Sequence, residues 1–463
     1  MDATVVACER MPAGTPDVPV AVVGAGACGL TAALMLRDAG IDCVLLERDA
    51  SPQGSTALSS GFIPAADTAA QRAAGIDDDS AARFAADIQR KAQDGAAPHL
   101  VQAYTEAITP AMAALTSRHG LAFEVLGGFL YPGHSRHRMH TLTQRTGAAL
   151  MAALDAAAAR AGATLLTQAH VHALWCNAQG RVLGLGCQRP DGRQERIGCR
   201  VLLLASSGFG GNAALVQELL PAMSGAVFAG HAGNDGSAIA WGRLLGARLA
   251  DLSGCQGHGG WAVPHGALIT WALMTEGGIQ VNVLGQRFHD EKLGYSEAAM
   301  AVLAQPGGVA WNVIDARLLA LGRGFPDFVA AEQAGAVRSA ADVAALAHIV
   351  GCPAGALATT LAQTALRPPY VAIRVTGALF HTQGGLDIDA HCRVLRQDGQ
   401  PLPNLLAAGG AARGVSGNAV SGYLSGNGLL SAVAGGFIAA RTAAGLLGAP
   451  APGWSTTPRS TSN

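Results

Sequence analysis

Charged residues are scarce in this sequence, and the two signs of charge nearly cancel. Asp, Glu, Lys and Arg make up 14% of the 463 residues, and the formal net charge at pH 7 is −1. A nucleic-acid-binding domain needs a basic face that neutralises phosphates. The composition therefore argues against a nucleic-acid partner.

Cysteines are few and do not follow the spacing of known cysteine sites. The nine cysteines are odd in number and scattered, and no two of them stand in C-x-x-C spacing. Structural zinc sites and c-type haem attachment sites depend on such spacings, whereas a disulfide framework is typical of an even number of cysteines in a short secreted chain. We therefore expect no metal and no disulfide framework, and we predict a cytoplasmic, reducing location.

Long apolar runs are also missing. The sequence has no uninterrupted run of the about eighteen apolar residues that a helix needs to cross a bilayer. The first eighteen residues carry no apolar core, no twin arginine and no cleavage signal. The sequence thus predicts no membrane span, and it predicts that Met1–Val18 is a loose lead.

Glycine and apolar residues are abundant. Half of the residues are apolar, which excludes disorder for most of the chain, and 61 are glycines, which indicates many tight turns. A chain of this length usually forms two or three domains. Short apolar runs such as "PVAVVG" alternate with segments of helical period, which predicts an α/β doubly wound sheet. From Asp251 to about Pro368 the composition shifts towards His, Trp and charge, which predicts an inserted domain.

The stretch "VVGAGACGLTAALML" carries Gly24, Gly26 and Gly29 in G-x-G-x-x-G spacing, after a predicted strand and at the start of a predicted helix. The first glycine makes the turn, the second lets a pyrophosphate approach the backbone, and the third lets helix and strand pack closely. The helix N-terminus offers its N–H groups to the phosphates. Glu47 ends the second strand, where a carboxylate can bind ribose hydroxyls. The motif predicts a dinucleotide site, and the alternative is a structural glycine turn.

Four segments resemble, in order and spacing, the fumarate reductase/succinate dehydrogenase flavoprotein family, which includes the 3-ketosteroid dehydrogenases. They are "GSTALSSGFIPAA", "LLASSGFGGN", "NDGSAIAWGRLLGARLADL" and "NLLAAGG…SGNGLLSAVAGG". The resemblance implies an α/β fold, in which a Rossmann-type doubly wound FAD-binding domain carries an inserted α/β substrate cap domain. The implied boundaries are 19–257 and 366–448 for the FAD-binding domain, 258–365 for the cap and 449–463 for a disordered tail.

The resemblance also implies which residues contact the cofactor. They are Gly24, Gly26, Ala27, Cys28, Gly29, Glu47, Arg48, Ser55, Thr56, Ser59, Ser60, Gly61, Val171, Ser206, Gly208, Asp235, Gly409, Gly410, Asn427, Gly428, Leu429 and Leu430. The succinate dehydrogenase branch attaches FAD through a histidine in the "GSTALSSG" region. No histidine stands there, so we expect FAD to be bound non-covalently. Gly410 stands where reductases of the family usually have a glutamate, a position that varies among the steroid-type members.

Four candidate catalytic residues follow from the same resemblance. "CQGH" resembles the Q-x-H that opens the cap and "FHTQGG" resembles H-T-M-G-G, so His258 and His381 stand where the family has substrate-binding histidines. Tyr295 lies eight residues after Arg287, where fumarate reductases have their proton-donating arginine. Tyr423, in "YLSGNGLL", stands where those enzymes have the arginine that clamps the substrate carboxylate.

Both tyrosines favour an uncharged substrate. Arginine binds a carboxylate through a planar, bidentate fork. A ketone instead needs a neutral donor aimed at the developing enolate oxygen, such as a Tyr hydroxyl or a backbone N–H near Gly426 or Gly428. The 3-ketosteroid dehydrogenases carry tyrosines at these two places, one of which removes a proton while the other polarises the carbonyl. Those enzymes lack the two histidines, however, and use a third tyrosine, for which Tyr131 is a candidate.

Other interpretations of these residues stay open. Tyr295 could be a plain surface residue of the cap, Tyr423 could only pack beside the flavin, and the two histidines could be structural. The pair Thr275 and Glu276 could match a proton-relay T-E pair of the reductases or only the G-E-G that follows it.

The stretch "YPGHSRHRMH" (Tyr131 to His140) is rich in His and Arg. Its composition would allow a zinc site, but its spacing fits no common one. We expect a solvated or entrance-lining loop, in which Arg136 and Arg138 could hold an acidic group.

The sequence therefore predicts an FAD-dependent oxidoreductase that acts on a CH–CH bond next to a carbonyl. Hydride would move to or from flavin N5, and Tyr295 would handle the proton on the α carbon. The first alternative is a reductase of an unsaturated carboxylic acid, in which Arg287, Arg413 or Arg374 replaces the missing clamp. The second is a flavin-binding subunit that passes electrons to a partner. The two tyrosines predict a small-molecule carbonyl substrate. Because haem and iron–sulfur cysteines are missing, we also expect an external electron acceptor or donor.

Overall fold

The computed structural model describes residues 3–449, which divide into two compact units. The first unit combines the chain up to Leu215, Gly230–Gly254 and the chain from His381 onwards. The second unit combines Val216–Ala229 and Cys255–Phe380. The cap expected at 258–365 falls inside the second unit, which also takes in flanking residues on both sides. Residues 450–463 of the expected tail lie outside the described residues.

The strands are short apolar or alternating runs, numbered here in chain order. They are β1 (Thr4–Ala7), β2 (Asp17–Val23), β3 (Cys43–Leu46), β4 (Ile63–Pro64), β5 (Glu124–Val125), β6 (Met139–Thr141), β7 (Thr164–Leu166), β8 (His170–Cys176), β9 (Val182–Gln188), β10 (Gln194–Leu204), β11 (Val227–Phe228), β12 (Leu249–Ala250), β13 (Cys255–Ala262), β14 (Ala267–Leu268), β15 (Ile279–Val281), β16 (Val309–Asp315), β17 (Val337–Ala340), β18 (Tyr370–Thr382), β19 (Gly385–Leu386), β20 (Arg393–Leu395) and β21 (Pro401–Ala407).

The helices are numbered in the same way. They are α1 (Ala27–Asp38), α2 (Gly54–Ala57), α3 (Ala69–Ala73), α4 (Ala81–Lys91), α5 (Pro98–Ser117), α6 (Gly147–Arg160), α7 (Ala213–Leu219), α8 (Ser237–Leu244), α9 (Ala272–Thr275), α10 (Tyr295–Leu303), α11 (Ala316–Gly322), α12 (Pro326–Gln333), α13 (Val343–Val350), α14 (Ala354–Ala362) and α15 (Asn427–Leu446).

The main sheet of the first unit has nine strands. Its order is β1-β8-β9-β10-β2-β3-β7, with β21 paired to β10 and β20 paired to β21. The strands β21, β10, β2, β3 and β7 run parallel. Most apolar side chains of the first four of these strands are buried, whereas those of β7, at the edge, are partly exposed. In a parallel sheet the carboxyl ends of the strands lie at one edge, where ligands bind in open α/β folds. This sheet therefore decides where a cofactor can bind.

One correction concerns the start of the chain. The sequence predicts a loose lead for Met1–Val18, but Thr4–Ala7 forms β1 and pairs in parallel with β8. The short run "TVVA" has the β-branched residues of a strand, and its partner lies more than 160 residues away in sequence. A pairing over that distance leaves no signal in a local pattern.

The second unit has a sheet of its own. Its seven strands follow the order β14-β13-β18-β16-β15, with β11 and β17 also paired to β18. The first half of the long strand β18, from Tyr370 to Thr376, pairs antiparallel with β16. Apolar side chains from this sheet and from α10 to α14 form a second core, separate from the core of the first unit. Each unit therefore has a hydrophobic core of its own.

The helix α15 is the central helix of the first unit. Within the described residues it is the one continuous helix that is long and apolar enough to cross a membrane, and the bent pair α13–α14 passes the same test only if counted as one span. The apolar window of α15 is 78% buried inside the protein, where the helix packs against α1 and α5. By its contacts α15 is a core helix. Its N-terminus forms part of the candidate active site described below.

Candidate active site

The predicted dinucleotide turn lies at the carboxyl edge of the main sheet. Val23, at the end of β2, is flanked in register by Leu46 of β3 and Leu204 of β10. Gly24 follows with a φ of +102°, and a Cβ placed on Gly29 would lie 2.0 Å from the Gly24 carbonyl oxygen. Only glycine fits at these two positions, because a side chain would separate the helix from the turn.

Contacts between the loops join many of the residues predicted to bind the cofactor. The Ala27 N–H donates to Thr56 Oγ1 over 3.1 Å, which joins the start of α1 to α2 in the segment "GSTALSSGFIPAA". The Arg48 guanidinium donates to Asp235 Oδ2 over 3.0 Å. Further contacts link Cys28 with Gly409, Gly208 with Gly410, Ser59 with Gly61, and Ser55 with Asn234. Four segments that are distant in sequence thus meet at one edge of the sheet.

The polar atoms at this edge suit FAD, the cofactor that the sequence resemblance implies. The carboxylate of Glu47 is buried and accepts the N–H groups of Ala25 and Asp49 over 3.0 and 3.1 Å, which holds it at the end of β3. The Ser206 hydroxyl is buried and has no hydrogen-bond partner within the described chain. A buried, unsatisfied hydroxyl is costly, and a polar ligand would satisfy it. The residues present therefore fit a dinucleotide with its phosphates and ribose.

Some of the predicted cofactor residues are not joined to the others by these contacts. Ser60 is exposed, and Val171 is buried in β8, where it pairs with Cys187 of β9. Leu429 and Leu430 are buried in the first turn of α15. Roles for these residues in binding the cofactor stay predictions.

His381 and Tyr423 lie together at the N-terminus of α15. Their ring centroids are 5.6 Å apart, and the ring planes are inclined at 75°. A Cβ on Gly428 would lie 2.8 Å from His381 Nε2 and 3.7 Å from the Tyr423 hydroxyl, so both polar atoms face the same helical turn. Burial raises the pKa of the Tyr423 hydroxyl well above its usual value, although hydrogen bonds with the backbone of Gly428 and Gly426 oppose the shift. Tyr423 is therefore a neutral hydrogen-bond donor.

A chain of hydrogen bonds fixes the tautomer of His381. The Gln383 side-chain amide donates to His381 Nδ1 over 3.0 Å, a shorter contact than the 3.4 Å between Nδ1 and the Thr382 carbonyl. Ser416 Oγ donates to Gln383 Oε1, and Asn427 Nδ2 donates to Ser416 Oγ. Burial lowers the pKa of His381 to about 4. The ring is thus neutral at pH 7, with its proton on Nε2.

The second unit holds the other pair, His258 and Tyr295. The two rings are stacked, with centroids 5.0 Å apart and planes inclined at 17°, and Trp271 and Phe380 contact the His258 ring edge-on. The Gly260 N–H donates to His258 Nδ1 over 3.0 Å, and burial lowers the pKa of His258 to about 3. His258 is therefore also neutral, with Nε2–H as its donor. Tyr295 is half-buried and is the first residue of α10.

Two of the arginines considered as carboxylate clamps already have carboxylate partners. Arg287 donates to the buried Glu291, with Nε 2.8 Å from Oε2. Arg413 Nε donates to Asp251 Oδ2 over 2.7 Å, and its Nη1 donates to Asp387 over 3.4 Å. Arg374 is exposed on β18. Glu276, of the possible T-E relay, is exposed as well.

The stretch Tyr131 to His140 is not a solvated loop. His134, Arg138 and His140 are buried, and Arg138 forms ion pairs with the buried Asp79 and Asp87. Arg136 pairs with the exposed Asp78. Sequence reasoning missed these partners, although the acidic run "IDDDS" that includes Asp78 and Asp79 was a signal of opposite charge. It also missed Gln383 and Ser416, whose amide and hydroxyl carry no pattern of their own.

Comparison with known proteins identifies the family. The chain matches the FAD binding domain family over residues 19–429. The NADH:fumarate oxidoreductase of Klebsiella pneumoniae (strain 342) is 27% identical over 427 residues, which cover 87% of this chain and 45% of that protein. The chain thus spans less than half the length of that relative.

Solved structures support the same fold. An open flavocytochrome c3 fumarate reductase has a TM-score of 0.80 at 24% identity, covering 94% of this chain and 79% of that chain. The 3-ketosteroid-Δ4-(5α)-dehydrogenase from Rhodococcus jostii RHA1 has a TM-score of 0.77 at 24% identity, covering 95% of this chain and 99% of that chain. These matches confirm the α/β fold, and the family match confirms FAD as the cofactor. The chain belongs to the FAD binding domain family.

Proposed function

We propose that this protein forms or reduces a carbon–carbon double bond conjugated to the carbonyl of an uncharged small molecule. The observation that carries the proposal is the pair of neutral donors at the N-terminus of α15, the Tyr423 hydroxyl and His381 Nε2–H. An uncharged carbonyl oxygen accepts such donors without the cost of burying a carboxylate that lacks a partner.

Tyr423 is proposed to donate to the carbonyl oxygen of the substrate. As an α proton leaves or arrives, negative charge develops on that oxygen, and a donor held in a buried place stabilises this charge more than water does. His381 Nε2–H is a second donor on the same turn, and its tautomer is fixed through Gln383. Bound FAD supplies the hydride acceptor or donor.

Tyr295 is proposed to move the proton on the α carbon. As the first residue of α10 it stands at the positive end of the helix dipole, which favours negative charge on its oxygen. The stacked ring of His258 limits the orientation of the phenol. A general acid–base group transfers a proton efficiently only when its oxygen is held within hydrogen-bond distance of that proton, and a fixed ring orientation favours this.

The second candidate is reduction of an unsaturated carboxylic acid. The name of the Klebsiella relative, NADH:fumarate oxidoreductase, favours it. Against it stand the ion pairs of Arg287 with Glu291 and of Arg413 with Asp251, because each guanidinium already binds a carboxylate of its own unit. A substrate carboxylate would have to compete with these pairs.

The test is anaerobic mixing of the oxidised holoenzyme with saturated cyclic ketones and, separately, with succinate. A flavin absorbance that is bleached by a ketone and unchanged by succinate supports the proposal. Bleaching by succinate alone would overturn it in favour of the acid reductase.

Two further expectations remain proposals. The electrons have to come from or go to an external carrier, and the dehydrogenase direction would need an acceptor. We also propose a reducing, cytoplasmic location, as the sequence predicts.

A further inference from the structure

The segment from Tyr423 to Asn427 leads into the first turn of α15. His134, which lies in another loop, forms a hydrogen bond with this segment. His134 Nε2 donates to the carbonyl oxygen of Ser425 over 2.9 Å. Both residues are buried, with 6% of His134 and 5% of Ser425 exposed. Loss of a donor from a buried carbonyl is unfavourable, so this hydrogen bond favours one position of the segment.

The loop that carries His134 also packs against this segment. A Cβ on Gly133 would lie 2.7 Å from Leu424 Cδ1, which places the loop backbone directly on Leu424. On the next residues, the backbone of Gly426 lies against Pro64 and the Met139 side chain. The segment therefore has little room to shift while this loop stays in place.

Buried charge anchors the loop. Arg138 Nε and Nη2 donate to the two oxygens of Asp79 over 2.7 and 2.6 Å, and Nη1 donates to Asp87. The N–H and the hydroxyl of Ser135 both donate to Asp87 as well. The Phe84 ring lies 4.9 Å from the Arg138 guanidinium carbon. Breaking a buried pair of this kind is strongly destabilising, so the loop is a rigid support.

We propose that His134 is a positioning residue, which fixes Tyr423 and the first turn of α15 through the carbonyl of Ser425. It does not contact the reacting atoms. From the other side, Asn427 connects through Ser416 and Gln383 to His381. The meaning of this arrangement for catalysis rests on the proposed function, but the positioning itself does not.

Different substitutions of His134 distinguish the effect of its hydrogen-bond donor from the effect of the volume of its ring. Gln at position 134 can present an amide N–H near the place of Nε2, whereas Asn places its amide near Nδ1 and falls short of Ser425. Phe keeps the size of the ring but has no donor. His137 lies in the same loop, and its Nδ1 has no hydrogen-bond partner within the described chain, so His137→Phe is a matched control.

The test is fluorine NMR of the holoenzyme labelled with 3-fluorotyrosine. The chain has five tyrosines, and Tyr423→Phe identifies the resonance of Tyr423 by its loss. We expect His134→Phe and His134→Asn to shift and broaden this resonance, while His134→Gln and His137→Phe leave it in place. An unchanged Tyr423 resonance in folded His134→Asn, or an equal shift in His137→Phe, would overturn the proposal.

Kinetics distinguish positioning from a merely structural role. With a carbonyl substrate, His134→Asn should lower kcat by about 10- to 100-fold with little change in KM, and His134→Gln should restore it. If the wild-type protein turns over no carbonyl compound, the proposed function fails. The NMR result, which needs no substrate, still decides the role of His134.

Discussion

The ring of His381 stands edge-on to the ring of Tyr423 at 5.6 Å, and the two share the Gly428 turn of α15. Each is neutral at pH 7, since burial lowers the pKa of His381 and raises that of Tyr423. The helix N-terminus thus presents hydrogen-bond donors without a full positive charge. The predictions below follow from this arrangement and from its counterpart, the stacked pair of His258 and Tyr295.

Tyr423→Phe should lower kcat with a carbonyl substrate by about 10²–10³-fold, because removal of one oxyanion donor typically has an effect of this size. FAD content should stay the same, since the hydroxyl rather than the ring is lost. Steady-state kinetics and the flavin spectrum check both. Tyr104 is a buried tyrosine on α5, and Tyr104→Phe is the control. An equal loss of kcat in Tyr104→Phe would contradict a specific role for Tyr423.

Gly428→Ala should reduce kcat while the protein stays folded. The added methyl group would lie 2.8 Å from His381 Cε1 and Nε2, so the ring has to move away from Tyr423. Gly445→Ala in the same helix is the matched control. Apart from its chain neighbours and the nearby backbone of α15 itself, no heavy atom of the described residues lies within 4 Å of its Cβ position. The control should keep its activity and gain up to about 1 kcal/mol of stability from helix propensity. Thermal melts and kinetics of both variants would show whether the loss is confined to Gly428.

Tyr295→Phe should lower the rate of proton transfer by about 10²–10⁴-fold, the usual contribution of a general acid–base group. The measurement is exchange of the α hydrogen of a saturated ketone in D₂O. Tyr370→Phe in the same unit should exchange at the wild-type rate. Wild-type exchange by Tyr295→Phe would leave Tyr295 as a packing residue beside His258.

The buried histidines predict how stability depends on pH. Burial lowers the pKa of His258 to about 3 and those of His381 and His134 to about 4, below the value of about 6.5 in an unfolded chain. Between about pH 4 and 6.5 the unfolded chain binds protons that the folded chain does not, so the free energy of unfolding falls as the pH is lowered through this window. His258→Gln should reduce the proton uptake on unfolding near pH 5 by about one proton.

Calorimetry in buffers of different ionisation enthalpy measures that uptake. At pH 8, above the window, the variant and the wild-type protein should take up equal numbers of protons. An uptake near pH 5 that His258→Gln leaves unchanged would mean that the ring is charged in the folded protein.

The parts of the fold that the sequence predicts are those with local signals. The glycine spacing at Gly24 follows a β-branched run and starts a helix, so the spacing and its local context together were enough to predict a dinucleotide turn. The pairing of Thr4–Ala7 with β8 was not predictable, because it depends on a partner far away in the chain.

The same limit applies to the site. Tyr295 and Tyr423 were selected by position within motifs, whereas the burial of Arg138 depends on Asp79 and Asp87, which lie 59 and 51 residues away. The stretch around His134 looked solvated because its own residues are polar. The stretch is buried because Arg138 pairs with Asp87 of α4 and with Asp79 of the loop that precedes α4.

The central claim is that the substrate is an uncharged carbonyl compound rather than an acid. Competition tests it most directly, because the product ratio from a mixture gives the ratio of kcat/KM values. The reduced holoenzyme is offered equal concentrations of a cyclic enone and fumarate under anaerobic conditions. We predict that the saturated ketone is the main product, and that Tyr423→Phe lowers its share. Succinate as the main product would contradict the account.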